Sequence, residues 1–208
     1  MTPPSDRSLA QRLEGLNLYL VGMMGTGKSA LGQPLAEALG YRFIDADSTV
    51  EQAAQRSIGE IFASDGEASF RALETAVLNQ IASWHSLVVA TGGGVVTRQE
   101  NWGHMRQGVV IWLDAPTELL LARIAADPTP RPLMQQPDPA ARLSELLGER
   151  QPLYAQADLH IKQQGEPPEQ VAALVLEALP SILKERASAP ETPVLLNNAD
   201  GTISQSLN

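Results

Sequence analysis

At 208 residues, with 15 basic against 24 acidic side chains and a formal charge of −9, the chain suits one compact domain. It is too acidic to offer the basic face that duplex nucleic acid requires, so no nucleic-acid partner is expected. The absence of cysteine excludes disulfide scaffolds, cysteine-ligated zinc, iron–sulfur clusters and a thiol nucleophile, and fits a cytoplasmic address.

Residues 1–15 lack the apolar centre of a signal peptide and read as an N-terminal extension. Leu16–Val21 reads as a strand ending at Gly22, followed by a helical stretch from Lys28 to Leu39. Pro34 inside that stretch is expected to bend it or cost stability. Further strands are expected at Tyr41–Ile44, Leu87–Ala90, Val109–Leu113 and, more weakly, Leu159–Lys162. Between Ser69 and Ser83 the residues Phe70, Leu73, Val77 and Ile81 recur on one helical face. Val171, Leu174, Val175, Ala178, Leu179 and Ile182 do the same near the end. Near-continuous apolar strands separated by helices imply a doubly wound α/β domain, a parallel sheet covered on both faces. Asp127–Pro139 holds five prolines in thirteen residues and reads as a long loop, a lid or a linker. The tail from about residue 187 to 208 reads as mostly disordered. No apolar run approaches the ~18 residues of a membrane helix, so no membrane partner is expected. His85, His104 and His160 are widely spaced, with no metal pairing.

Gly22-Met-Met-Gly25-Thr26-Gly27-Lys28-Ser29 matches the phosphate-loop pattern G-x-x-x-x-G-K-[ST], after a strand and before a helix as that motif requires. Its glycines let backbone N–H groups turn towards phosphate oxygens, and the helix N-terminus adds partial positive charge. Lys28 then reaches the β- and γ-phosphates and Ser29 ligates Mg²⁺. The base-reading N-K-x-D segment of GTPases is absent from the sequence, which leaves a small-molecule or nucleotide kinase as the natural reading.

At the end of the second strand, Asp45-Ala-Asp47 is expected to place two carboxylates on one side of the sheet edge by strand alternation. One suits a metal through water, the other a proton from a hydroxyl; Asp47 as a helix N-cap is the alternative. Arg71 lies beside Phe70, either pointing into a cleft or solvated at the surface. Glu74, one turn on, either orients Arg71 or forms a plain surface ion pair with it. Gly92, Gly93 and Gly94 follow the third strand, where bare backbone either approaches a ligand or makes a flexible turn.

Together GMMGTGKS, FIDAD, SIGEIFASDGEASFRALE, ATGGG, RPLM and ERQPLY resemble, in order and spacing, the shikimate kinases, over about Leu16 to Leu179. The resemblance implies transfer of the γ-phosphate of ATP to the 3-hydroxyl of shikimate, a step of aromatic amino-acid biosynthesis. It implies a five-stranded parallel sheet of order 2-3-1-4-5 within residues 16–186, with a mobile lid at about 126–139. Carried over by motif, Asp47 binds the acceptor hydroxyl and acts as base. Lys28 and Arg131, the latter on the lid, meet the transferring phosphate. Gly25, Thr26, Gly27, Lys28, Ser29, Ala30 and Arg131 bind ATP. Arg71 and Arg150 grip the shikimate carboxylate beside Gly92, Gly93 and Gly94. One Mg²⁺ accompanies ATP, held by Ser29 and, through water, by Asp45. Arg123 packs against adenine. ATP and shikimate are the partners implied, with a monomer as the functional unit. A gluconate kinase on the same fold and a non-catalytic homologue are the rival readings; all of Lys28, Asp47, Arg71, Arg131 and Arg150 are present.

Overall fold

The computed structural model describes residues 8–127, 132–134, 137–188, 194–197 and 203–206. Five parallel strands, β1 (Leu18–Val21), β2 (Arg42–Asp45), β3 (Leu87–Ala90), β4 (Val109–Asp114) and β5 (Leu159–Lys162), form one sheet in the order 2-3-1-4-5. The chain leaves β1 for the edge, returns through β3 and then crosses to β4. The order therefore reverses at β1, where open α/β sheets bind their ligands.

Strand alternation fills both faces of the sheet. Tyr19, Val21, Val89, Val110 and Trp112 pack on one side against α3 (Ala46–Ala54), α4 (Ile58–Ala82) and α5 (Gln99–Met105). Leu18, Leu20, Val88, Ile111 and Leu113 pack on the other against α1 (Leu9–Leu13), α2 (Lys28–Leu39) and α8 (Pro168–Ser188). Each fully buried side chain of this kind stabilises the fold by about 1.5–3 kcal/mol. A third cluster joins Met23 of the phosphate loop to Leu120 of α6 (Thr117–Ala126), Leu143 and Leu146 of α7 (Pro139–Tyr154), and Met134. It packs the helix that carries Arg150 against the loop that carries Lys28.

The helix α2 spans the expected Lys28–Leu39 as one helix with Pro34 inside it, and ends on Gly40 at φ 67°. Helix α4 starts eleven residues before the periodic segment from Ser69, because Ser57 and Glu60 form a reciprocal capping box. Gly66, at φ 79° and ψ 171°, breaks it into two rods, the second carrying the buried Phe70, Val77 and Ile81. In α8, Val171, Val175, Leu179 and Ile182 are buried, but Leu174 is 41% exposed, so the expected face is narrower by that residue. Within the tail read as disordered, β6 (Val194–Asn197) and β7 (Ile203–Ser206) pair antiparallel. Among the described residues no helix is long and apolar enough to cross a membrane.

Candidate active site

The phosphate loop joins β1 to α2. Gly22, Gly25 and Gly27 all have positive φ, and a Cβ on Gly22 would stand 2.4 Å from the Leu113 carbonyl oxygen, so the loop cannot close without glycine there. Lys28 Nζ donates to the carbonyls of Gly22 at 2.9 Å and Met23 at 3.0 Å, which folds the ammonium back over the cradle. Gly25, Thr26, Gly27, Lys28, Ser29 and Ala30 line one cleft of about 410 Å³ that continues to Arg123, Pro168 and Val171.

A second cleft, of about 460 Å³, opens between the first rod of α4 and the Gly93–Gly94 run, lined also by Phe62, Phe70, Arg71, Leu133 and Arg150. Both clefts share Met24, Ser29, Asp45, Asp47, Gly93 and Asp127. The Asp pair therefore stands at their junction.

Strand alternation is not what places that pair. Asp45 is the last residue of β2 and the N-cap of α3, accepting from Ser48 N at 3.1 Å, while Asp47 already belongs to the first helical turn. Asp45, not Asp47, is the cap. Asp45 also accepts from Ser29 Oγ at 2.5 Å, which ties the end of the phosphate loop to the β2 edge. Asp47 Oδ1 is sealed from solvent without a hydrogen-bond partner among the described residues. Burial, then the charges of Glu74 and Asp45, push its carboxyl up to about 6 against the opposing pull of Lys28 and Arg71.

Arg71 is 7% exposed and points inward, not to the surface. Its Nη1 donates to Glu74 Oε2 at 2.8 Å and its Nη2 to Glu67 Oε1 at 3.1 Å, the i+3 and i−4 neighbours on α4. Burial works against its charge, but these two carboxylates outweigh it and hold the guanidinium protonated. Glu74 is itself 3% exposed, so the pair is no surface ion pair. Burial pushes Glu74 up, and Arg71 and Arg150 pull it back. Gly92 and Gly94 are bare because side chains crowd them. A Cβ on Gly92 would stand 2.7 Å from Asp47 Oδ1 and 2.6 Å from Glu74 Oε1, and one on Gly94 2.2 Å from Arg71 Nη2. The Gly93 carbonyl is held by Tyr154 Oη at 2.5 Å. Arg150, one turn earlier on α7, is 4% exposed, with Nε and Nη1 buried and unpaired among the described residues. Two buried, unpaired guanidinium donors in a cleft that also holds Arg71 suit a planar anion such as a carboxylate.

The family model for shikimate kinase matches residues 24–180. The chain belongs to the shikimate kinase family. It is 58% identical over 191 residues to the shikimate kinase of Synechococcus sp. strain RCC307, covering 91% of this chain and 97% of the relative. It is 60% identical over 178 residues to that of Parasynechococcus marenigrum strain WH8102, covering 86% and 93%. Among solved structures, shikimate kinase from Acinetobacter baumannii in complex with shikimate superposes with a TM-score of 0.79 at 39% identity, covering 82% of this chain and 96% of that one.

Within this shikimate kinase fold, the expected residues fall into two groups that meet at Asp47. Gly25 to Ala30 line the first cleft, and Arg71, Arg150 and Gly94 the second, with Gly93 in both. Gly92 faces Asp47 from beneath. Arg131 lies outside the described residues. Sequence reasoning passed over Glu67, Tyr154 and Gln163, and left Glu74 undecided. Tyr154 sits in the quoted ERQPLY motif, which is the one signal that could have raised it. Arg123 does not stand alone over its cleft: its Nη1 donates to Gly25 O at 3.2 Å and to Gln163 Oε1 at 3.3 Å.

Proposed function

We propose that this kinase binds ATP on the phosphate loop and shikimate in the second cleft, and moves the γ-phosphoryl group directly to the 3-hydroxyl. The observation that carries the reading is the junction: a buried, unpaired carboxylate oxygen on Asp47 between a phosphate cradle and a cleft with unpaired arginine donors. In the step proposed, a bond forms between the acceptor oxygen and the γ-phosphorus, and the bond from that phosphorus to the β,γ-bridging oxygen breaks. Its electron pair leaves with ADP, and the hydroxyl proton passes to Asp47. Lys28 and the loop N–H groups spread the phosphate charge, and no covalent enzyme intermediate is needed. Arg71 and Arg150 hold the carboxylate, so an acidic protein binds an anion through local charge. Adenine is assigned to the end of the first cleft, between Arg123 and Pro168.

Ser29 Oγ and Asp45 Oδ2, hard oxygen donors side by side on the floor of the first cleft, suit Mg²⁺. When bound, that ion neutralises charge on the β- and γ-phosphates. Among the described residues no cluster of three or more His, Cys, Asp or Glu could hold a metal. Arg131 is assigned to the transferring phosphate, and residues 126–139 to a closing lid, on the family resemblance. The core domain is taken as 16–186, with 1–15 and 187–208 as extensions. The same reading makes the enzyme a cytoplasmic monomer.

The test is ADP release from Mg-ATP with shikimate, quinate, gluconate or no acceptor. Release with shikimate alone is expected; equal release with gluconate moves the assignment to a broader sugar-acid kinase, and none leaves only the phosphate loop. Because Asp47 must be ionised to take the proton, kcat/KM for shikimate is expected to climb as pH rises through about 6 and level off above it. Gly94→Ala is expected to raise the KM for shikimate at least tenfold with ATP affinity unchanged. Its backbone, at φ −98°, accepts alanine, so the added methyl acts by displacing the Arg71 guanidinium, the group nearest to it; steady-state kinetics with each substrate varied checks this.

A further inference from the structure

We infer that Gln163 is a positioning residue for the donor nucleotide, clamping the phosphate loop and the adenine-side arginine into one preformed unit. The inference rests on the reading of the first cleft as the ATP site.

Gln163 follows β5, two strands away from the phosphate loop, and its main-chain N donates to Asp114 O at 2.9 Å beyond the end of the β4–β5 ladder. Its side chain is 3% exposed and reaches across the end of β4. Nε2 donates to the Thr26 carbonyl at 2.7 Å, and Oε1 accepts from Arg123 Nη1 at 3.3 Å. The same Arg123 nitrogen donates to the Gly25 carbonyl at 3.2 Å. The amide orientation is fixed by its partners: reversed, it would set oxygen against the Thr26 carbonyl and NH₂ against a guanidinium.

Two successive carbonyls of the loop are thus held from the outside by one amide and one guanidinium. The peptide bonds of the described residues, the loop's included, are trans, so a carbonyl fixed outward turns the next N–H to the opposite side. With Thr26 O held, the Gly27 N–H is directed into the cradle. This matters because Gly25 and Gly27, at φ 81° and 86°, give the loop little stiffness of its own. Arg123 gains from the same contact. An arginine side chain has many rotamers to lose, and tethering its guanidinium before the base arrives removes that cost from binding. Gln163 therefore joins the phosphate end of the cleft to its adenine end, and both of its side-chain partners line the cleft.

The test is Gln163→Met, similar in size and unable to make either bond. Its KM for ATP is expected to rise about tenfold, the worth of one good net hydrogen bond, with kcat and the KM for shikimate within twofold. ADP affinity by calorimetry, with no acceptor present, is expected to fall by the same factor. That readout stands even if the wild-type chain shows no shikimate-dependent release, so failure of the functional reading and failure of this inference are separable. In an Arg123→Leu background the added effect of Gln163→Met is expected to shrink to threefold or less. If Gln163→Met does not fold, Gln163→Glu, which keeps the acceptor for Arg123 but loses the donor to Thr26, is expected to lose at least as much ADP affinity. Wild-type ADP affinity in the folded variant, parallel losses in kcat and both KM values, or fully multiplicative effects with Arg123→Leu would overturn the inference.

Discussion

Asp47→Asn is expected to lower kcat by about 10²- to 10⁴-fold while raising the thermal stability of the protein. The substitution keeps the size of the side chain and removes its capacity to take a proton. Its effect on stability has the opposite sign because the carboxylate is held where ionisation is costly. Burial and the Glu74 and Asp45 charges raise the folded value to about 6 from the ordinary 3.8. The folded chain therefore binds this proton more readily than the unfolded chain does. The stabilisation from that proton is fully present below about pH 4 and is lost as pH rises through about 6. At pH 7.5 the ionised group is a burden that asparagine removes. A gain of about 1 kcal/mol corresponds to a Tm rise of about 2–4 °C for a chain of this size. Turnover and thermal melting of the same preparation check both halves, and near-normal turnover in the variant contradicts the base assignment. A catalytic group kept against its own solvation is a common cost of function.

Arg71→Leu and Arg150→Leu are each expected to cost about 2–5 kcal/mol in kcat/KM for shikimate, about 30-fold to a few thousand-fold, with little change in ATP affinity. Their effects on stability are expected to differ in size. Removing Arg71 leaves Glu74, 3% exposed, without its guanidinium and without its 2.8 Å bond, so the fold is weakened. Removing Arg150 takes a more distant counter-charge from Glu74 and a partner from Tyr154 but also relieves two buried, unpaired nitrogens, so the apo protein is expected to lose less stability than with Arg71→Leu. Substrate-dependent kinetics and melting curves of the two variants separate the clamp from its scaffold: equal destabilisation by both would mean that Arg150 is a structural arginine.

Much of this site was legible in sequence because its parts are local. The phosphate loop is one contiguous motif, and the α2, β3 and β5 boundaries match the sequence reading, since apolar strands and a glycine-led helix start carry their own signals. The Asp pair was legible as a pair but not in its geometry. Alternation does not carry the two residues past Asp45 to Asp47, because the Asp45 side chain caps α3 and the strand ends there. Glu74 and Gln163 were hidden for a different reason. A glutamate three residues from an arginine looks the same whether the helix face is buried or wet, and a glutamine after an edge strand shows nothing of a carbonyl 137 residues away. The break at Gly66 lies before the helical segment read from Ser69 to Ser83, where the sequence reading sets no element.

The most direct measurement is the structure of the product. The purified protein is incubated with Mg-ATP and shikimate, and the mixture is read by ³¹P and ¹H NMR. A single new phosphomonoester coupled to the proton on carbon 3, formed as ADP appears in equal amount, is the result expected from Asp47 acting at the junction of the two clefts. Phosphate on another hydroxyl, or ADP formed with inorganic phosphate and unchanged shikimate, would contradict the account.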